Sequence, residues 1–421
     1  MTAAGEVKRA RLGLWAIAAV PCLVVLDTLV ALLRGWRPAT SDMGFVLAAA
    51  VAALLVALLA YRRSAVRGFL ARRAPELVLA LFAVAFAWAS VEAAMRLLGL
   101  DVEYYHRTFP HDRRLFRPNP EWMPGIEGES WFTANSQGIR GPELPAREQA
   151  ERILCVGGST TANLYLDDSE TWTRLLMDRL HEAGGPFWVG DVGMSGYASW
   201  QHLKFFQTSG LLDEMDQVVA LVGVNDAMRA IRGTSLVINT AAAPLWERSL
   251  VLKRARLAIR ARLRRDETMV ETPDGSAYVA RRQQRREAEI VDALPDLTAA
   301  LRGYQENLRA MLAIAREKGV RLVLATQPVL WTAGLPERAQ QLLWLGRLDE
   351  RHFLSVEKAR EAMDLFNAAL LEVCADSGVD CVDLSGMHGR EEYYFDDVHY
   401  SEAGAAEVAR RIAEELARGR P

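Results

Sequence analysis

The amino-acid sequence predicts an α/β fold built on a parallel sheet, preceded by a bundle of three transmembrane helices. Three observations lead there. Long apolar runs fill the first hundred residues. From Arg152 onward, short apolar runs alternate with helical patterns. A hydroxyl, an amide, a carboxylate and an imidazole stand just past the ends of those short runs or near the C-terminus.

The apolar runs come first. Leu12–Leu33 is interrupted only by Pro21 and Asp27, Met43–Tyr61 carries no charge, and Leu77–Leu98 holds Glu92 and Arg96 near its far end. At 1.5 Å per residue, each can cross a hydrocarbon core of roughly 30 Å. The first run is too long for a cleaved signal peptide and lacks a small-residue cleavage site after it. Glu92 and Arg96 share one helix face and read as an ion pair snorkelling near the interface. Lys8, Arg9 and Arg11 precede the first run, and Arg62, Arg63, Arg67, Arg72 and Arg73 follow the second. The loop between the first two runs has only Arg34 and Arg37. This bias puts the N-terminus in the cytoplasm and delivers everything after about residue 100 to the outside. In a bacterium with two membranes, that compartment is the periplasm.

Charge separates the two parts. Residues 1–100 hold 11 Lys/Arg against 5 Asp/Glu, and the remainder holds 39 against 48. The acidic bulk argues against nonspecific nucleic-acid binding. Four cysteines are too few for a disulfide scaffold. Cys22 and Cys155 lie in apolar runs. Cys374 and Cys381 lie seven apart across a predicted helix–turn–strand, where an oxidising compartment would permit pairing.

Residues 101–150 are irregular and rich in aromatic residues, Pro and Gly. A free linker would lack so much aromatic surface, so they are expected to pack on the following domain as a connector. That domain spans 151–421. Predicted strands fall at 152–157, 187–193, 217–223, 320–326 and 379–384, and predicted helices at about 170–184, 199–210, 297–318, 357–376 and 401–418. Such alternation implies a parallel sheet covered on both faces, with the active site beyond the C-terminal strand ends. An insertion at about 227–296 breaks the pattern. Within Arg248–Arg265 it carries eight basic residues and no acidic one. This is a solvated helix, a helix lying on anionic lipid headgroups, or a grip on an acidic polymer; the insertion also has the length to cap a site.

Ser159 follows the first strand of the domain in Gly157-Gly158-Ser159, and Asp396 and His399 stand three apart before the last helix. A serine hydroxyl is a poor nucleophile until a base takes its proton. His399 is the candidate base, and Asp396 the group that fixes its tautomer and stabilises the imidazolium. The backbone N–H groups of Ser159 and Gly196 and the amide of Asn225 are candidate oxyanion donors. Each piece alone has a bland reading. The Gly157-Gly158-Ser159-Thr160 run suits an ordinary turn, and it lacks the endings of a P-loop or dinucleotide fingerprint. Asn225 suits a helix cap and His399 a surface histidine. Their joint occurrence, in order and at strand ends, favours a serine hydrolase. His202, His352 and His388 lack metal-ligand spacing. Gln327 and Trp331 are candidates for the pocket wall or for packing.

The blocks Gly157-Gly158-Ser159, Gly196, Gly223-Val224-Asn225-Asp226 and Asp396-Asp397-Val398-His399 resemble those of the SGNH hydrolases, the GDSL-lipase superfamily. The resemblance covers about residues 150–418. The segment Asn135–Gly141 is similar to one in membrane-anchored bacterial members. The resemblance implies a three-layer α/β/α, flavodoxin-like domain and ester hydrolysis without metal or other cofactor. It casts Ser159 as nucleophile, His399 as base, Asp396 as its partner, and Ser159, Gly196 and Asn225 as the oxyanion hole. The family's usual Asp before the serine is Gly158 here.

The expected protein is a three-pass inner-membrane protein with a periplasmic serine esterase domain. Its expected substrates are acyl esters, such as O-acetyl groups, on envelope saccharides. A lipase or lysophospholipase acting near the bilayer is one alternative. An acyltransferase or noncatalytic component of an envelope polysaccharide machine is another.

Overall fold

The computed structural model describes residues 3–33, 42–98, 108–233, 248–252, 254–255, 269–271 and 275–418. Arg34, Arg37, the first stretch of the connector and most of the basic run lie outside them. The chain divides into two compact units, Met1–Asp101 with Val237–Arg260, and Val102–Leu236 with Ala261–Pro421.

The first unit holds α1 (Ala3–Leu33), α2 (Asp42–Tyr61) and α3 (Ser64–Leu97). Ala4–Val30 and Ser64–Leu97 are long and apolar enough to cross a membrane, and Ala49–Tyr61 is a shorter apolar stretch. Ala10, Leu70 and Ala71 bury one another where α1 meets α3. Beyond that contact, α3 leaves Leu79, Phe82 and Phe86 at least 65% exposed, an apolar face of the kind found at membrane or protein contacts. Glu92 and Arg96 do pair, at 2.6 Å, but they are more than a snorkelling pair. Glu92 also accepts bonds from the Ser249 hydroxyl and the Leu250 and Val251 amides, while Arg96 donates to the Arg248 carbonyl. The pair fastens the start of the basic run to the end of α3. Sequence spacing alone could not reveal a partner some 150 residues away.

The second unit opens with β1 (Arg113–Phe116) and β2 (Ser130–Thr133), an antiparallel pair. Then follow β3 (Glu151–Gly157), α4 (Ser159–Ala162), α5 (Trp172–Glu182), β4 (Phe187–Asp191), α6 (Ser199–Thr208), β5 (Gln217–Leu221) and α7 (Val224–Ile231). The insertion supplies β6 (Met269–Glu271), which pairs with β1, and α8 (Gly275–Arg286). The chain continues through β7 (Glu289–Val291), α9 (Thr298–Glu317), β8 (Arg321–Ala325), α10 (Glu337–Gln340), β9 (His352–Leu354), α11 (Val356–Ser377), β10 (Cys381–Val382) and α12 (Glu402–Arg418).

The central sheet has the order β10-β8-β5-β3-β4, and every pair in it is parallel. Its strands are continuous apolar runs because both faces are covered: Ile153, Leu154, Cys155 and Val156 of β3 are wholly buried. Helices α5 and α12 pack together, as do α6, α7, α9 and α11, and the sheet between the two groups completes three layers. Strands β4 and β5 end two residues earlier than the apolar runs suggest. After β4, Gly193 turns to donate to the Asp191 carboxylate, and after β5, Gly223 takes φ +127°. Cys374 and Cys381 form a disulfide that ties the end of α11 to β10.

Arg140 locks the segment before β3 onto the strand ends. It is 4% exposed, and its guanidinium donates to the carbonyls of Trp131, Ala162, Asn163 and Leu166 and to the Asp168 carboxylate. Its backbone exchanges both bonds with Asp191 at the end of β4. The loop that follows α4 is therefore held from outside the sheet.

Candidate active site

Parallel strands all present their C-terminal ends at one edge, so the loops that follow them converge. Ser159 follows β3, Gly196 follows β4, Asn225 follows β5, and Asp396–His399 lie between β10 and α12. Ser159, Gly196, Asn225 and His399 all line one cavity of about 600 Å³.

The imidazole is fixed by a tight turn. Phe395 N–H donates to the His399 carbonyl, and Tyr394 bridges Tyr400. Within this turn, Asp396 Oδ1 accepts from the Val398 and His399 amides at 2.9 and 2.8 Å. A carboxylate bonding the backbone two and three residues on is what an Asx-type turn provides. Asp396 Oδ2 is left to face His399 Nδ1 at 2.7 Å. On the other side of the ring, His399 Nε2 lies 2.8 Å from Ser159 Oγ. The Phe395 ring stacks on the imidazole at 5.5 Å and 13°.

Burial would raise the Asp396 carboxyl, but the charge and hydrogen bond of His399, the Val398 amide and Trp344 outweigh it and hold it below the usual carboxylate range. Burial would also lower His399. Asp396, through its charge and its hydrogen bond, and the charge of Asp397 overcome that and raise the imidazole above its ordinary value. The pair is thus built to stabilise an imidazolium.

The groups around Ser159 are equally constrained. Gly196 has φ +79°, the left-handed region that costs glycine least. Asn225 Nδ2 donates to the Tyr197 carbonyl at 2.9 Å, which fixes the amide and leaves its second hydrogen unassigned to that bond. A Cβ on Gly158 would stand 2.6 Å from Asn225 Nδ2. A side chain on the residue before the serine would therefore displace the Asn225 amide from this position. Behind these loops, buried Asp226 accepts from the amide and hydroxyl of Ser199, and Asn307 donates to that hydroxyl. This ties the first turn of α7 to the start of α6. Burial pushes the Asp226 carboxyl up to about 6.

Two residues of this site give no signal of their own in the sequence. Trp344 donates its indole N–H to Asp396 Oδ2 at 2.9 Å. Asp397 is wholly buried and accepts from the Trp344 amide at 2.7 Å and the Trp331 indole at 2.8 Å. Burial and the Asp396 charge raise the Asp397 carboxyl to about 6. Trp331 and Gln327 do not line the cavity. Trp331 is buried behind it, and Gln327 accepts from the Thr160 hydroxyl and donates to Tyr400. Both side chains point inward, against residues next to Ser159, Asp396 and His399. His202 is buried in packing, His352 binds Asp349 at the surface, and His388 accepts from the Val329 amide.

A family model described as GDSL-like Lipase/Acylhydrolase family matches residues 155–407. No curated protein matches the chain. Among solved structures, the chain is similar to a catalytic mutant of Axe2, an acetylxylan esterase from Geobacillus stearothermophilus (13% identity, 63% of this chain and 94% of that one, TM-score 0.37). It is similar to the psychrotrophic esterase EstA from Pseudoalteromonas sp. (11% identity, 64% and 97%, TM-score 0.35). It is also similar to TesA (18% identity, 63% and 97%, TM-score 0.35).

Proposed function

Because the chain belongs to the GDSL-like lipase/acylhydrolase family, and is therefore a serine ester hydrolase, we propose that Ser159, His399 and Asp396 carry its reaction. The observation that carries this reading is the single imidazole bonded to Ser159 Oγ at 2.8 Å and to Asp396 at 2.7 Å. Ser159 Oγ attacks the ester carbonyl carbon while His399 Nε2 takes its proton. Asp396 holds Nδ1–H and balances the imidazolium charge. The Ser159 and Gly196 amides and the Asn225 side chain bind the developing oxyanion. His399 returns its proton to the leaving alcohol, the C–O bond breaks, and an acyl-enzyme remains. Water, deprotonated by the same ring, attacks that ester and releases the acid.

The domain works on the outer side of the membrane, periplasmic in a bacterium with two membranes, after three N-terminal crossings. The basic flanks of the first two apolar runs support this orientation, and the Cys374–Cys381 disulfide suits an oxidising compartment. An anchored, outward-facing esterase meets acylated saccharides of the envelope, and those are the substrates proposed. Purified full-length protein is incubated with envelope saccharide, and free acid is measured. Release of acetate or another short acid, lost in Ser159→Ala, is expected. Release only from long-chain lipid esters would overturn the saccharide assignment, and equal release by Ser159→Ala would overturn the catalytic one.

A further inference from the structure

The cavity beside Ser159 has cationic walls. Arg229 on α7, Arg232 just past its end and Arg281 on α8 all line it, and no Asp or Glu is among the described residues that line it. Elsewhere in this domain, several arginines meet carboxylates. Arg309 pairs with Asp376 at 3.2 Å, Arg338 with Glu391 at 2.8 Å and Arg360 with Asp364 at 2.7 Å. In the cavity, Arg232 and Arg281 have no such carboxylate partner among the described residues. Arg281 lies over the Trp344 ring, 4.7 Å from its centroid. Arg229 donates to the Gly196 carbonyl at 3.2 Å and shares its field with buried Asp226. Partial desolvation, and then the charges of Arg347, Arg229 and Arg281, lower the Arg232 guanidinium. Clustered cations in a cleft raise the local concentration of anions and are relieved by one.

We propose that Arg232 and Arg281 form the subsite for a carboxylate on the ester substrate, so that the enzyme deacylates an acidic sugar rather than a neutral one. This rests on the hydrolytic reading above. A guanidinium presents a planar fork that matches a carboxylate with two parallel hydrogen bonds. The Arg281–Trp344 stack supplies a flat surface beside it, of a kind on which a sugar ring can lie. Trp344 also donates to Asp396, so a substrate resting on that stack is held next to the reacting groups.

The test uses purified full-length protein and four esters: an O-acetylated methyl hexuronide, its neutral O-acetylated methyl hexoside counterpart, a lysophosphatidate, and p-nitrophenyl acetate. Charge-assisted hydrogen bonds of this kind are expected to favour the hexuronide over the hexoside by roughly tenfold or more in kcat/KM at low salt. That ratio should shrink as salt rises. It should fall towards one in Arg232→Gln and Arg281→Gln, and survive better in Arg232→Lys. A wild-type ratio of one, or a ratio unmoved by both glutamine variants, overturns the proposal. So does preference for the lysophosphatidate. In each of those cases, Ser159-dependent hydrolysis of p-nitrophenyl acetate leaves the hydrolytic reading standing. Absence of Ser159-dependent turnover of every ester overturns both.

Discussion

Gly158→Ala tests the proposed oxyanion geometry, because it adds one carbon at a place the structure defines. The new Cβ would sit 2.6 Å from Asn225 Nδ2, whereas nonbonded heavy atoms rest comfortably at about 3.5 Å. The Asn225 amide therefore has to move by most of an ångström, and its bond to Tyr197 at 2.9 Å goes with it. Losing one oxyanion donor costs about 10²–10³ in kcat. The expected result is a fall of that size in kcat for p-nitrophenyl acetate, with KM changed far less. The backbone at Gly158, φ −84° and ψ −148°, is not left-handed, so the thermal midpoint should move little. A double-mutant cycle sharpens the test. If both substitutions act through the amide, Gly158→Ala combined with Asn225→Ala should cost no more than Asn225→Ala alone. A kcat within twofold of wild type, or additive losses in the double variant, would refute this reasoning.

Three further outcomes follow from the same geometry. His399 must be neutral to accept the Ser159 proton and its pKa is raised, so kcat/KM should rise with pH to a plateau, through an apparent pKa above the ordinary histidine value of about 6.5; a limb at or below that value would contradict the ion pair. Trp344→Phe removes one donor to the Asp396 carboxylate, so kcat should drop roughly tenfold and the acidic limb of the pH profile should move upward; a loss confined to KM would assign Trp344 to packing instead. Arg140→Ala strips a buried cation from four carbonyls and Asp168, which should destabilise the domain by about 3–5 kcal/mol, seen as a lower unfolding midpoint of the purified protein.

What could be read from the sequence, and what could not, divides along physical lines. The five parallel strands and their helices announce themselves because a doubly covered sheet demands continuous apolar runs, as in Ile153–Val156. Ser159, Gly196, Asn225 and the Asp396–His399 pair stand out because strand ends and short spacings are local properties. Trp344 and Asp397 do not stand out, because their contacts are long-range: Trp344 lies in an irregular stretch and reaches Asp396 some fifty residues later. Arg281 sits on an insertion that obeys no alternation, so its place over Trp344 has no periodic signal. That a side chain at position 158 would press on Asn225 becomes visible only in the structure. Gln327 and Trp331 follow a strand as the others do, yet their side chains point to buried partners. Position after a strand narrows the candidates, and side-chain direction decides among them.

The most direct measurement is covalent labelling of the full-length protein with a fluorophosphonate, followed by peptide mass analysis. The account predicts one adduct, on the peptide containing Ser159, absent in Ser159→Ala and formed far more slowly in His399→Ala. An adduct on another residue, or labelling of Ser159 that is indifferent to His399, would contradict it.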